Sequence, residues 1–502
     1  MQSIWRKTAE MPAFPTLTEN LKTDAVVIGG GMAGVLTAYL LGARGVDCVV
    51  LEANRVAGGV TDGTTAKITA QHDICYSTMI RQFGAELAGQ YAAANLEAIE
   101  DYAKLIEGER IDCDFRRVAT HLYAEKPSEV LEQELRAAET LGLPAEMVTE
   151  TELPFPVWGA LRFREQAMFH PLKFLAHIAA KCRIYENSRV QSVEADMVTT
   201  EGGEVRAEHI VVATHFPFIN RPGYYFARMH QSRSYVLVLE GAEEIEHAYL
   251  GIDGERLSLR GYGGHILLGG GGHRTGENQS GGKYAGLVRA AKAIWPGSRE
   301  VTRWSAQDCV THDNIPYIGQ YGADTPGLYV ATGFRKWGMT SSMVAARILS
   351  AAIAGGGSPY PVFSPQRTSI APSIKGLAKD GATAVKGLTK QIFHAPLERL
   401  DEVPVGRGEL VSYRGDKLAV YRDESGRAYG VDTACTHLGC ELSFNADEAS
   451  WDCPCHGSRF HHDGTCLSGP AQRDLEVKSG LCGPPTGSNT GPPDEVDNQR
   501  DK

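Results

Sequence analysis

The run Gly29-Gly30-Gly31-Met32-Ala33-Gly34 constrains this 502-residue chain more than any other feature. It follows Asp24 to Ile28, a short apolar run that reads as a buried strand, and it opens an apolar helix reaching about Leu41. A second strand, Asp47 to Leu51, ends at Glu52. Strand, G-x-G-x-x-G, helix, strand and terminal acid in that order form a dinucleotide-binding unit. Gly29 makes the tight turn, Gly31 lets the backbone approach a pyrophosphate, and Gly34 lets helix and strand pack closely. The pyrophosphate sits at the positive helix N-terminus, and Glu52 accepts from ribose hydroxyls. The pattern alone fits FAD and NAD equally.

Cysteine placement supplies the second constraint. Of eleven cysteines, Cys48, Cys75, Cys113, Cys182 and Cys309 are scattered, whereas Cys435, Cys440, Cys453, Cys455, Cys466 and Cys482 crowd near the C-terminus with histidines between them. Scattered cysteines read as reduced core residues, and a dense Cys/His cluster reads as a metal site. Cys435-x-His437 and Cys453-x-x-His456 offer two thiolates and two imidazoles. A Rieske [2Fe-2S] centre needs that set, two cysteines on one iron and two histidines on the other. A structural zinc site uses the same ligand types.

Length suits two or three domains. A net charge of −11 argues against a nucleic-acid partner. The N-terminus lacks an apolar leader core. Ala25 to Ala43 carries no charge and has about the length of a membrane span, but Gly29 to Gly31 interrupt it and the dinucleotide unit accounts for it. A cytoplasmic protein without an integral membrane segment is expected.

Other segments extend the fingerprint: LEANRVAGGVTDGTTAK, FHPLKFL, ENSRVQSVE, IVVATH (Ile210 to His215), IPYIGQ (Ile315 to Gln320) and LYVATGFRKWGM. Over about residues 20 to 355 the chain resembles the D-amino-acid oxidase-like (DAO) superfamily of FAD enzymes. The resemblance implies an α/β, Rossmann-like FAD-binding domain interleaved with an α+β substrate domain. FAD would lie along Gly29, Gly31, Gly34, Glu52, Gly58, Gly59, Val190, Gly333 and Gly338, with Thr65 and Lys67 near the flavin. The FAD-binding part would take residues 20–85, 164–215 and 301–358, and the substrate part 86–163 and 216–300. The Gly-rich run Leu267 to Gly276 reads as a turn rather than a second nucleotide site, with no helix pattern behind it.

The C-terminal region resembles the all-β Rieske domain, expected over 398–480. That resemblance implies a disulfide between Cys440 and Cys455 clamping the two ligand loops. It also implies a proline loop at Gly464 to Ala471 and a hydrogen bond from Ser458 to a cluster sulfur. High-potential members place a Tyr two residues after that Ser; here Phe460 stands there. His461 and His462 read as solvated turn residues rather than metal ligands, and Cys466 as a small apolar one. Residues 359–397 read as a linker with a docked helix, and 481–502 as a disordered tail, so the final strand of the Rieske sheet is in doubt.

Together these readings predict a flavo-iron-sulfur oxidoreductase. The DAO resemblance implies oxidation of a C–N bond in a small amine. Electrons would then pass singly through the cluster to an external acceptor, a quinone or a redox protein. The alternatives are an electron-transfer or redox-sensing protein, or a flow reversed from cluster to flavin. Amino-acid oxidases of the superfamily often hold the substrate carboxylate with an Arg shortly before the Asp313-x-x-Pro316-x-Ile-Gly319 element; here Asp308 takes its place. It would favour a cationic amine over a simple α-amino acid. Lys336 is a second catalytic candidate.

Overall fold

The apolar run Ala25 to Ile28 lies at the centre of a sheet, each residue at most 4% exposed. In this computed structural model, which describes residues 2–357, 359–367 and 396–478, the strand Leu21–Ile28 pairs in parallel with Glu204–Val212 on one side and Cys48–Leu51 on the other. Strands covered on both faces need such unbroken apolar runs. The strand order is Tyr317–Gln320, Leu328–Thr332, Glu204–Val212, Leu21–Ile28, Cys48–Leu51, Arg183–Tyr185. Two glycines fix the first strand–helix turn. Gly29 has φ +113, and a Cβ on Gly34 would stand 1.9 Å from the Gly29 carbonyl oxygen. The helix Met32–Gly42 therefore starts directly above the sheet edge.

The second sheet has nine strands, with Arg299–Thr311 at one edge, then Met229–Glu240, His265–Arg274, Ser258–Tyr262, Ala248–Gly251, Arg116–Ala124, Gly159–Met168 and Lys67–Ile68, and with Ala145–Val148 also paired to Gly159–Met168. Three expectations are corrected here. The Gly-rich run is not a turn: it is the strand His265–Arg274, paired with Met229–Glu240 and Ser258–Tyr262. Its glycines serve packing. A helix does follow, Lys283–Ile294, and a Cβ on Gly270 would come within 2.9 Å of Leu287 Cδ2 on it. The expected boundary at residue 301 also moves. Arg299–Thr311 pairs antiparallel with Met229–Glu240 almost end to end, so it belongs to the substrate sheet and carries Asp308 there. Gly159–Met168 likewise crosses the expected boundary at 163 while completing that sheet. The uncharged Ala25 to Ala43 stretch is a strand, a turn and a helix, and no described helix is long and apolar enough to cross a membrane.

The C-terminal module holds a three-stranded sheet, Arg407–Tyr413, Asp416–Arg422 and Ala428–Asp432. A four-stranded sheet follows: Ser443–Asn445, Ser450–Asp452, Arg459–His461 and Cys466–Ser468. Its end does add to the sheet. Val477 bridges Val431, and Lys478 N donates to Gly430 O at 3.0 Å. The expected linker helix and the tail beyond 481, with Cys482, lie outside the described residues.

Candidate redox site

A cavity of about 900 Å³ opens between the two sheets. From the parallel sheet and its loops come Gly29, Gly31, Glu52, Gly58 and Gly59, together with Val190. Thr65, Lys67, Gly333 and Gly338 complete the expected cofactor set on its walls. Gly34 lines no part of it; it sits behind the turn and permits the turn's geometry. The Glu52 carboxylate, at the end of its strand, accepts from Gly30 N at 2.7 Å and Asn54 N at 2.9 Å. Gly333 has φ +75, and a Cβ there would stand 2.3 Å from Thr311 Cγ2. A bare main chain is thus presented to the cavity at the turn and again at Gly333, as close approach by a dinucleotide requires.

The nine-stranded sheet and a loop of the parallel sheet supply titratable side chains. Asp308 lines the cavity at 8% exposure. Burial pushes its pKa up to about 7, against the pull of Lys336 and Arg233. Lys336 reaches the cavity from the loop after Thr332, its Nζ beside Gly272. Burial lowers its pKa and Asp308 raises it. Lys67, on the opposite edge strand, donates to Ser258 Oγ. Burial, with Arg260 and Lys336 nearby, brings Lys67 down to about 7. The structure thus gathers Asp308, Lys336 and Lys67 on one cavity.

In the C-terminal module, Cys435 and Cys453 lie within hydrogen-bonding reach of each other, which lowers the first thiol's pKa and raises the second's. The rings of His437 and His456 stand 5.0 Å apart and perpendicular. The Nδ1 atom of His437 is buried with no hydrogen-bond partner among the described residues, which leaves it open to a metal. Cys440 and Cys455 form a disulfide, as the resemblance implied, which leaves Cys435, Cys453, His437 and His456 as the candidate ligands. That donor set fits a [2Fe-2S] cluster. Ser458 bonds toward Cys435 and accepts from Ala471 N at 3.0 Å, tying the proline loop to the ligand loop. Cys466 sits beside the module's core, as expected, but His461 ends the strand Arg459–His461 and His462 packs on Tyr421 and Tyr429 rather than standing in solvent, because the strand's end turns the His462 ring toward the neighbouring sheet.

Sequence reasoning missed how the module is joined to the body. Glu448 takes two hydrogen bonds from Arg233, each 2.6 Å, and one from Ser305. Gln231 Nε2 donates to His456 O at 2.8 Å and Gly469 O at 2.9 Å, and Gln307 Nε2 donates to Gly457 O at 2.8 Å. Cys466 to Gln472 form part of the cavity wall. No motif marks these residues.

Comparison with known proteins agrees with this division. The model of the FAD dependent oxidoreductase family (DAO) matches residues 24–352, and that of the Rieske [2Fe-2S] domain matches residues 394–479. A Bacillus subtilis protein named as a Rieske 2Fe-2S iron-sulfur protein, YhfW, is 36% identical over 494 residues, covering 95% of this chain and 97% of that one. The gamma-glutamylputrescine oxidoreductase of Escherichia coli is 26% identical over 215 residues, 40% of this chain and 50% of that protein. The glycine oxidase of Geobacillus kaustophilus shares the fold of the body: TM-score 0.59, 18% identity, over 69% of this chain and 99% of its own.

Proposed function

The chain belongs to the FAD dependent oxidoreductase family and carries a C-terminal Rieske [2Fe-2S] domain, and from that premise we propose that it oxidises a C–N bond of a small amine and passes the electrons singly to an external acceptor. It binds FAD and a [2Fe-2S] cluster. In this reading Gly29, Gly31, Glu52, Gly58, Gly59, Val190, Gly333 and Gly338 hold the dinucleotide, and Thr65 and Lys67 face its reacting ring. Cys435, His437, Cys453 and His456 hold the cluster. Bound FAD supplies a two-electron oxidant that can also release electrons one at a time, and the cluster carries one electron.

The observation that carries the amine assignment is Asp308. A buried carboxyl on the cavity wall with a pKa raised to about 7 can take a proton from a bound ammonium group at neutral pH. Removing that proton frees the nitrogen lone pair, which an amine needs in order to lose two electrons and become an imine. Lys336 limits how far the pKa of Asp308 can rise. The amine chemistry in the names of the two similar oxidases supports the same reading. The acceptor in this proposal is a quinone or a one-electron redox protein.

Anaerobic titration tests the proposal. Candidate amines added to iron-replete protein should bleach the flavin and then reduce the cluster, followed by absorbance and electron paramagnetic resonance. If no amine bleaches the flavin while a reduced redox protein does so through the cluster, the electrons run the other way and the amine reading fails.

A further inference from the structure

The segment between His215 and Phe226 faces two ways. His215, Phe216 and Phe218 line the dinucleotide cavity. A few residues on, Asn220 Oδ1 lies 3.0 Å from His437 Nε2, and the Phe226 ring stands edge-on to both candidate ligand rings, 6.1 Å from His437 and 5.6 Å from His456. An imidazole that binds iron through Nδ1 carries its proton on Nε2 and turns that atom outward. Here the outward atom of His437 is already occupied by the flavoprotein body.

The docking behind this contact is tight. A Cβ on Gly276 would stand 2.6 Å from Pro454 Cα, and one on Gly457 would stand 2.6 Å from Gln231 Cβ. The Arg233–Glu448 pair is almost wholly buried, at 4% and 11% side-chain exposure.

We propose that the histidine edge of the Rieske module is permanently docked on the FAD body through Asn220 and Phe226, and that electrons cross between flavin and cluster at this edge, with Asn220 as the positioning residue for His437. In each crossing from flavin to cluster, the flavin loses one electron and the cluster gains one. Two crossings empty a flavin reduced by two electrons, and each electron then leaves to a one-electron redox protein at another surface of the module. A quinone has no access to His437 Nε2. The inference needs both cofactors but not the amine substrate, so it stands or falls separately from the substrate assignment.

The test uses the holoprotein with the flavin photoreduced, without substrate. Pulsed electron paramagnetic resonance reads the histidine nitrogens of the reduced cluster, and flash photolysis reads the flavin-to-cluster rate. Asn220→Leu should change the nitrogen couplings and slow the crossing several-fold, and Asn220→Asp, which keeps an acceptor oxygen, should restore the couplings. A hydroxyquinone that shifts the spectrum of an open quinol-oxidising Rieske protein should leave the wild-type spectrum unmoved. A shift with wild type, or unchanged couplings and rate in Asn220→Leu, overturns the proposal.

Discussion

The two redox sites of this protein are built on opposite plans. The cluster site draws its four candidate ligands from two loops, Cys435 to Cys440 and Cys453 to Ser458, joined by a disulfide and one short hairpin. The flavin cavity draws its polar groups from strands far apart in the chain: Lys67 from one edge of the nine-stranded sheet, Asp308 from the other, Lys336 from a loop beyond it. Metal coordination needs particular atoms at short range, so residue identity and spacing carry it. A cavity that tunes proton affinity needs burial, which only the assembled sheet provides. The first site should therefore fail by losing its contents, the second by losing its electrostatics.

The largest expected effect separates the sites outright. Cys453→Ser should drop iron and acid-labile sulfide from about two each per chain to near zero. FAD content should stay at that of wild type, because the dinucleotide turn belongs to the parallel sheet of the body and Cys453 to the core of the C-terminal module. Elemental analysis and flavin absorbance of the same sample check this. Loss of both cofactors together would mean that the two sites fold as one unit.

The seam between the regions comes next. Arg233 and Glu448 are buried, and removing Glu448 leaves the Arg233 charge without its carboxylate. Glu448→Ala should cost about 3–5 kcal/mol, read as a lower melting temperature of the holoprotein. The pH dependence sharpens this. Arg459, Arg233 and Ser305 outweigh burial and hold the Glu448 pKa down at about 2, against an ordinary 4.5. A depressed carboxyl pKa contributes stability that is present above the unfolded value and lost as pH falls through the folded one. The difference between wild type and Glu448→Gln should therefore shrink between pH 4.5 and about 2. A constant difference across that window would refute the assigned shift.

Asp308 gives the smaller, chemical effect. Asp308→Asn removes the proton acceptor and should lower kcat/KM for an amine by about a hundredfold. In wild type kcat/KM should rise with pH through about 7 as the carboxylate forms. The sign for stability is the reverse of that for Glu448. A folded pKa raised from 3.8 to about 7 means that the charged form is penalised, so above pH 7 the Asn variant should be the more stable protein. If glycine or D-alanine is the best substrate and Asp308→Ala leaves activity intact, Asp308 does not select the substrate.

The same contrast explains what could be read from the chain. Gly29, Gly31, Gly34 and Glu52 were legible because a dinucleotide turn demands residue types at fixed spacing, and the Cys/His quartet was legible for the same reason. Glu448 pairs with Arg233 across 215 residues, and Asn220 meets His437 across 217. Contacts of that range leave no local pattern. The glycines of Leu267 to Gly276 misled because glycine marks turns far more often than a strand interior. Here they make room for Leu287 and face the cavity at Gly271 and Gly272. Asp308 was legible as an anomaly at its position, but its raised pKa comes from burial that no spacing reveals.

The smallest expected effect tests how far the residue-by-residue match to high-potential Rieske proteins extends. Phe460 is fully buried on the strand Arg459–His461, in the cluster of apolar side chains that includes Cys435 and Cys453. A Tyr there would place a hydroxyl among them, and a buried hydroxyl needs a partner. A ligand thiolate is the acceptor it would find if the ring points at the cluster. A hydrogen bond to a charged group is worth roughly 1.5–3 kcal/mol. Only the part that differs between oxidised and reduced states moves the potential, at about 59 mV per 1.4 kcal/mol for one electron. Phe460→Tyr should then raise the cluster potential by on the order of 50 mV, read by protein-film voltammetry. Because the donor acts on a thiolate rather than on the histidine edge, the flavin potential should not move with it. An unchanged cluster potential with full iron content would mean that the ring at 460 faces away from the thiolates, and that the absence of Tyr does not set this cluster's potential.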